Sequence, residues 1–453
     1  MQSTTGQSKK TFAVATLGCK VNKYDSQVII EQFQNNDLNI VDFSQRADIY
    51  IINTCTVTKK SNKESRRLIR NAFKKNSKAR IIVTGCYAQN SPQEILRIEG
   101  VSLVINNKDK SRIFKEYQSF CQKKEKISLP RSNFHKTSLI KDFSQKSRAF
   151  VKIQDGCNQF CSYCIVPFVR GRSCSKPIND IQEEIDLLTA KGFKEIVLVG
   201  INLGQYGKDI SSSIDLPKVI KKLCQHPKLY RLRLSSINIP DISEELIDLV
   251  AKDSKICKHL HIPLQSGSSF ILKKMNRGYT SKEYEKLINY LKSRVPGIGI
   301  TTDILVGFPG EEDVHFNETY ELVKELKFSR THIFRYSPRP YTKACLFLNK
   351  VPDKIKKQRS DTLKELSTQN MIYFMEKHKE ERVKVLIEEY KPSLKLYFGY
   401  SSNYIRVGVR SLRTIVGKII EVSVKEIKKD YMVGELLPSI SILSSYLFCF
   451  FFE

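Results

Sequence analysis

Residues 156–164 read GCNQFCSYC and place Cys157, Cys161 and Cys164 in the spacing Cys-x3-Cys-x2-Cys, directly after a strand-like run, RAFVKIQ (148–154). Zinc in a structural site takes four protein ligands, and so does a closed iron–sulfur cube. Here three thiols sit on one tight loop, and the next, Cys174, is ten residues beyond Cys164, outside ordinary knuckle spacing. Three thiolates can hold three corners of a [4Fe–4S] cube and leave the fourth iron open to a substrate or cofactor. A structural metal is the plainer alternative.

Outward from this loop the chain alternates strand-like and helix-like segments. RAFVKIQ, KEIVLVG, YRLRLSS, KHLHIPLQ, GIGITTDILVGF and THIFRYS are separated by stretches such as DIQEEIDLLTAKG and SKEYEKLINYLKSR. Six βα units over 148–379 predict an α/β fold with a partial (βα)6 barrel, whose chemistry lies in the loops after the strands. The same alternation over 10–120 predicts a parallel α/β domain from TFAVATLGC, IYIINTC and RIIVTGC. Each of these runs ends in a cysteine: Cys19, Cys55 and Cys86. Ligand crevices of open parallel sheets lie at the carboxyl ends of strands, so a second three-thiol site is expected there, unless the three are ordinary core cysteines.

Residues 121–147 lose apolar periodicity and read as a linker. Over 380–440, RVKVLIEEY, LKLYFGYSS, YIRVGVR and GKIIEVSVKEI are short alternating strands without helices, as in a small antiparallel β-barrel. The tail 441–453 is apolar but shorter than the ~20 residues of a membrane span.

The 453 residues carry 76 Lys+Arg against 47 Asp+Glu, a net charge of +29, which suits a polyanionic partner such as nucleic acid; a Lys-rich surface without such a role is the alternative. Twelve cysteines without a secretory leader fit reduced, cytoplasmic thiols that bind metal. Cys121, Cys174, Cys224, Cys257, Cys345 and Cys449 show no paired spacing and read as ordinary thiols. His259 and His261 share one strand face and could pack or bind. The basic stretch KKSNKESRRLIRNAFKKN (59–76) reads as a helix that could meet a phosphate backbone or only solvent.

The cysteine loop in a partial barrel resembles the radical S-adenosylmethionine superfamily. With TLGCKVNKYDSQ, NTCTVT, TGCYAQ and QDGCNQFCSYCIVPFVRGR, the chain resembles the methylthiotransferases in particular, from about Thr11 to Gly434, and its wording is similar to the branch acting on threonylcarbamoyladenosine in tRNA. The resemblance implies two [4Fe–4S] clusters, an auxiliary one on Cys19, Cys55 and Cys86 and a radical-generating one on Cys157, Cys161 and Cys164. It implies S-adenosylmethionine as methyl donor and as source of a 5′-deoxyadenosyl radical that activates C2 of the adenosine. It also implies cofactor contacts from Tyr163, from Gly200, Asn202 and Gly204, and from Asp303 and Gly307, and an RNA-gripping TRAM module at the C-terminus. An electron donor such as flavodoxin or ferredoxin and a separate sulfur donor are expected, with a monomer and no membrane anchor. Alternatives are a methylthiotransferase acting on isopentenyladenosine or a ribosomal protein, and a non-catalytic metal-containing RNA-binding protein. Asn238, Arg335 and Tyr341 depart from the family pattern, which has glutamate, proline and glycine at those places.

Overall fold

The computed structural model describes residues 9–123, 139–143 and 147–437. Most of the stretch read as a linker, and the tail 441–453 with Cys449, lie outside the described residues. Near the amino terminus, β1 (Thr11–Thr16), β2 (Asn39–Ile40), β3 (Ile49–Thr54), β4 (Arg80–Gly85) and β5 (Val101–Val104) form a parallel sheet in the order β2-β1-β3-β4-β5. All six residues of β3 are buried, because helices cover both faces of the sheet. A strand covered on both faces reads as a continuous apolar run, which is why IYIINT shows no alternation. On one face Ile29, Phe33 and Phe114 pack against Ile51 and Ile82; on the other Ile69 and Ala72 pack against Tyr50 and Val83. The basic helix Lys59–Lys75 starts where Thr58 Oγ1 accepts the Ser61 N–H at 3.1 Å. It buries only Ser65, Ile69 and Ala72, so its lysines face outward.

The second unit begins with β6 (Arg148–Lys152). Two short strands, β7 (Gln154–Asp155) and β8 (Cys174–Ser175), pair antiparallel and pinch the base of the cysteine loop. Then follow β9 (Glu195–Val199), β10 (Arg231–Leu234), β11 (His259–His261), β12 (Gly299–Val306) and β13 (Arg330–Arg335). Parallel sheets β10-β9-β6 and β11-β12-β13 are joined by the bridge Ser236↔His261 into one open, partial barrel, the architecture that six βα units predict. Ile140 and Phe143, in the segment read as a linker, are fully buried in this barrel's core. Two apolar anchors in a short polar stretch leave no periodic signal in the sequence.

Five strands, β14 (Arg382–Lys391), β15 (Leu396–Ser401), β16 (Arg406–Val409), β17 (Ile419–Ile427) and β18 (Met432–Leu436), close a small barrel in the order β14-β15-β16-β18-β17. Its neighbours are antiparallel except β16 and β18, which run parallel. The fifth strand is one more than the alternating stretches suggested; it spans five residues and carries Gly434 in its middle, too little for a pattern.

This small barrel caps the amino-terminal end of the α/β barrel through two buried arginines. Arg231 donates to the carbonyls of Tyr400 and Lys384 at 3.0 and 3.3 Å, and Arg233 to those of Ser401 and Ser402, both at 2.9 Å. Glu195 holds both guanidiniums, at 2.6 Å from Arg231 and 2.8 Å from Arg233. The Tyr404 ring fills the remaining space, with its centroid 4.5 Å from that of His259 and 4.7 Å from the Arg233 guanidinium. Burial pushes the Glu195 carboxyl up, but Arg233, Arg231 and Arg148 outweigh it and hold it at about 2. A depressed carboxylate contributes stability that is present above its unfolded pKa and is lost as pH falls through the folded one. In urea titrations the protein is expected to lose this contribution between about pH 4.5 and pH 2. Glu195→Gln, which strands two buried guanidiniums, is expected to cost about 3–5 kcal/mol at pH 7 and to flatten that acid limb.

Candidate metal centres and active site

Both cysteine trios are brought together by strand-end turns built on glycine. Gly18, Gly85 and Gly156 each precede a trio cysteine and adopt φ of +93°, +98° and +72°. The need is steric at Gly18, where a Cβ would lie 2.9 Å from the Cys55 sulfur, and at Gly85, where it would lie 2.4 Å from the Thr54 carbonyl. Cys19 then opens the helix Lys20–Gln34, Cys55 follows β3, and Cys86 starts a short helix after β4. Cys55 and Cys86 are buried while Cys19 is exposed, so the trio lies at the sheet edge and opens outward. Asn22 fixes the turns by donating to the carbonyls of Leu17 and Thr54 at 2.7 and 3.0 Å.

The second trio lies on the loop pinched by β7 and β8, all three thiols partly exposed. The Cys157 N–H donates to the Gly171 carbonyl at 3.1 Å and the Cys164 N–H to that of Cys161 at 2.9 Å, which closes the loop on itself. Arg277 approaches Cys161 Sγ at 3.3 Å. It also donates to Tyr279 Oη at 3.1 Å, Gln159 Oε1 at 3.3 Å and Asn238 Oδ1 at 2.8 Å, so the departure at Asn238 lies within reach of this trio. With a neutral amide there, the half-buried Arg277 has no carboxylate within 4 Å among the described residues, which leaves its charge available to an anionic group of a ligand.

One short helix joins the two centres. Val166–Arg170 follows Cys164 after one residue, its N-cap Ile165, and Ile165 and Val169 pack on Cys86. At its end Arg170 donates to both oxygens of Asp155 at 2.8 and 2.9 Å and to Asn22 Oδ1 at 2.6 Å. Asp25, on the amino-terminal unit, completes the lock with Lys152 at 2.7 Å and Lys110 at 3.0 Å. Burial works against the Asp25 carboxylate, but Lys110, Lys152 and Arg170 hold its pKa well below the usual range. Arg170 also lies close enough to Cys86 to favour its thiolate. Above Cys55 sits Arg339, buried and donating to Ser337 Oγ at 3.2 Å.

The thiol geometry tests which metal fits. Tetrahedral zinc with bonds of about 2.3 Å sets its thiolates about 3.8 Å apart. Neither cysteine trio has all its sulfurs within 4.8 Å of one another; among the described residues only His261, Asp303 and His332 meet that spacing as a set of three. Wider spacing suits the corners of a cube. Burial raises the pKa of Cys55, Cys86 and Cys157 and pushes Cys164 up to about 12, so these thiols keep their protons until a metal's charge displaces them.

The remaining candidates separate. Tyr163 packs between the cysteine loop and Ile271, Met275 and Phe308. Asn202 is spent internally, its amide donating to Asp241 Oδ2 at 2.9 Å, and Gly204 leaves room for Asp241, since a Cβ there would lie 2.1 Å from that side chain. Gly200 donates its N–H to Ser235 Oγ at 3.3 Å, and Gly307 donates to Glu311 Oε1 at 2.8 Å. Asp303 instead pairs with His261 at 3.3 Å in a polar cluster that includes His332, with Lys20 near by. Lys20 lies 5.9 Å from the Tyr404 ring and has no carboxylate within 4 Å among the described residues. Of the two strand-face histidines, His259 is buried and His261 joins the cluster with Asp303 and His332. Arg170, Arg277, Arg339 and Lys20 carry no spacing signal; each acquires its place only when distant strands meet.

Comparison with known proteins follows the same division. Residues 11–106 match the model of an uncharacterized protein family, UPF0004, and residues 151–323 match the radical SAM superfamily. The chain is 36% identical to the threonylcarbamoyladenosine tRNA methylthiotransferase MtaB of Bacillus subtilis over 94% of its length and 96% of that protein. It is 38% identical to the MtaB of Aquifex aeolicus, over 90% of this chain and 99% of that one. It is 34% identical to the tRNA-2-methylthio-N(6)-dimethylallyladenosine synthase of Fusobacterium nucleatum, over 94% and 100%. In fold it resembles the radical S-adenosylmethionine methyltransferase TsrM of Kitasatospora setae, with a TM-score of 0.57 at 15% identity over 75% of this chain and 77% of that one.

If the two trios hold separate four-iron clusters, anaerobically reconstituted Cys86→Ala and Cys161→Ala are each expected to retain about half of the wild-type iron and sulfide, and the double variant almost none. Zinc retention without sulfide in the wild type would refute the cube.

Proposed function

The chain belongs to the radical S-adenosylmethionine methylthiotransferase family, an enzyme family of iron–sulfur and S-adenosylmethionine chemistry, and from that premise we propose that it methylthiolates C2 of N6-threonylcarbamoyladenosine beside the anticodon of tRNA. In this reading Cys19, Cys55 and Cys86 hold the auxiliary cluster and its sulfur, and Cys157, Cys161 and Cys164 hold the radical cluster. Two molecules of S-adenosylmethionine are consumed, one as methyl donor and one as radical source. The protein's own part is placement. Helix Val166–Arg170 sets the separation of the two centres, and the Asp25–Arg170–Asp155 lock keeps it fixed. Arg277 offers a guanidinium to the cofactor beside Cys161, with Asn238 and Gln159 orienting it.

The observation that favours threonylcarbamoyladenosine over an isopentenyl substrate is the polar cluster near Lys20, the residue that follows Cys19. Lys20, His261, Asp303 and His332 offer a cation, imidazoles and a carboxylate to the carboxylate and hydroxyl of a threonyl group. An apolar isopentenyl chain would offer no partner to Lys20 or to the unused hydrogen-bonding capacity of this cluster, at about 1–3 kcal/mol for each polar group left unsatisfied. Burial lowers the His332 pKa to about 4, so at neutral pH it enters as a neutral hydrogen-bonding group. Flavodoxin or ferredoxin as electron donor, and action as a monomer, complete the reading; no helix among the described residues is long and apolar enough to cross a membrane.

Mass spectrometry of nucleosides tests it. Incubation of threonylcarbamoyl-modified tRNA with reconstituted protein, S-adenosylmethionine, sulfide and reductant is expected to give a methylthio mass gain that Cys161→Ala abolishes. A gain only on isopentenyladenosine would move the substrate. Lys20→Met is expected to lower kcat/KM on threonylcarbamoyl tRNA roughly 10- to 100-fold, the range for loss of one charge-assisted hydrogen bond.

A further inference from the structure

Between the two cysteine trios the surface carries aromatic rings that no packing requirement places there. Phe160 stands inside the cysteine loop, between Cys157 and Cys161, at φ +47°. Phe168, 48% exposed, lies on the helix that packs on Cys86. Tyr341, 70% exposed, follows by two residues the Arg339 that sits beside Cys55. The ring centroids of Phe160 and Phe168 lie 6.0 Å apart and those of Phe168 and Tyr341 lie 6.2 Å apart, so the three form a continuous strip.

Tyr341 adopts φ +68°, a backbone conformation that glycine takes freely and a bulky side chain takes only against strain. A ring held at this φ and 70% exposed gains little within the isolated chain beyond its contact with Phe168, and so is available to a ligand. The surroundings indicate what kind. The exposed Arg172 guanidinium lies 4.6 Å from the Phe160 centroid, and Lys343 is exposed beside Tyr341. The Lys59 N–H donates to Ser337 Oγ at 3.1 Å, which ties the start of the basic helix Lys59–Lys75 to the Tyr341 loop. Cations beside exposed aromatic faces, in a chain of net charge +29, match a single strand of nucleic acid, with phosphates on the helix and bases on the rings.

We propose that Phe160, Phe168 and Tyr341 form a stacking shelf for the unpaired loop nucleotides that flank the target adenosine, with Tyr341 as its outermost step. This rests on the RNA substrate of the preceding reading but not on the identity of its modification. Stacking on aromatic faces is sequence-tolerant, so the shelf would hold the loop open over both centres without restricting which loops are accepted.

The chain contains no tryptophan, so 2-aminopurine in an RNA can be excited beyond the tyrosine band without protein background. Unmodified anticodon stem-loops carrying 2-aminopurine next to the target adenosine, on either side, are titrated into the reconstituted protein. At saturation, quenching of at least twofold at one or both positions is expected. Tyr341→Gly, which relieves the strained φ, is expected to restore the emission and weaken Kd roughly 5- to 150-fold, the fold-change for one lost stack. Its iron content and thermal unfolding report on folding, and Phe168→Leu gives a second point on the strip. An unquenched base at saturation, or a Tyr341→Gly Kd equal to wild type, overturns the shelf while leaving the enzyme reading intact. Failure of the wild type to bind any stem-loop overturns both, and assigns the strip to a protein partner.

Discussion

The guanidinium of Arg170 is the contact on which the rest of the arrangement depends. It is 1% exposed and is shared by Asp155 at the foot of the cysteine loop and by Asn22 and Asp25 on the amino-terminal unit. Removing Asp25 would leave the buried Lys110 without its carboxylate partner and weaken the hold on Arg170 and Lys152, so the two units hold one relative position. The same five-residue helix begins two residues beyond Cys164, lays Val169 on Cys86 beside its N-cap Ile165, and ends in that guanidinium. A reaction that passes a group between two centres needs a fixed separation, since small misplacements of reacting atoms are expensive.

Polarity is distributed along the α/β barrel in a consistent way. At its closed end Glu195, Arg231, Arg233 and Tyr404 form a fully paired plug that welds the small β-barrel on. Half-way up, Lys20, His261, Asp303 and His332 are only partly paired, which leaves hydrogen-bonding capacity for a ligand. At the open end the aromatic strip and the cations around it face solvent. Pairing decreases from the closed end to the mouth, as expected where stability is concentrated away from the surface that must exchange substrate.

Much of this was legible in the chain. Strand-to-helix alternation gave the parallel sheets and the partial barrel because buried β-branched runs and amphipathic helices leave distinct periods. Cysteines at the ends of TFAVATLGC, IYIINTC and RIIVTGC pointed to one sheet edge because parallel strands place their carboxyl ends together. The fifth strand of the small barrel and the buried anchors Ile140 and Phe143 were not legible, being too short to show a period. That Asn202 and Gly204 also pack against Asp241, a pairing of loops after adjacent strands, was not legible because spacing cannot reveal it.

The sequence alone determined the fold class, the two groups of three thiols and the basic character of the molecule, because each is carried by local pattern or composition. Only the tertiary structure decided how far apart the trios stand, that Arg170 and Arg277 lie beside them, that Lys20 lies near the cluster of His261, Asp303 and His332, and that Tyr341 ends an aromatic strip. These are relations between residues far apart in the chain, set by how sheets and helices pack, and no local period encodes them.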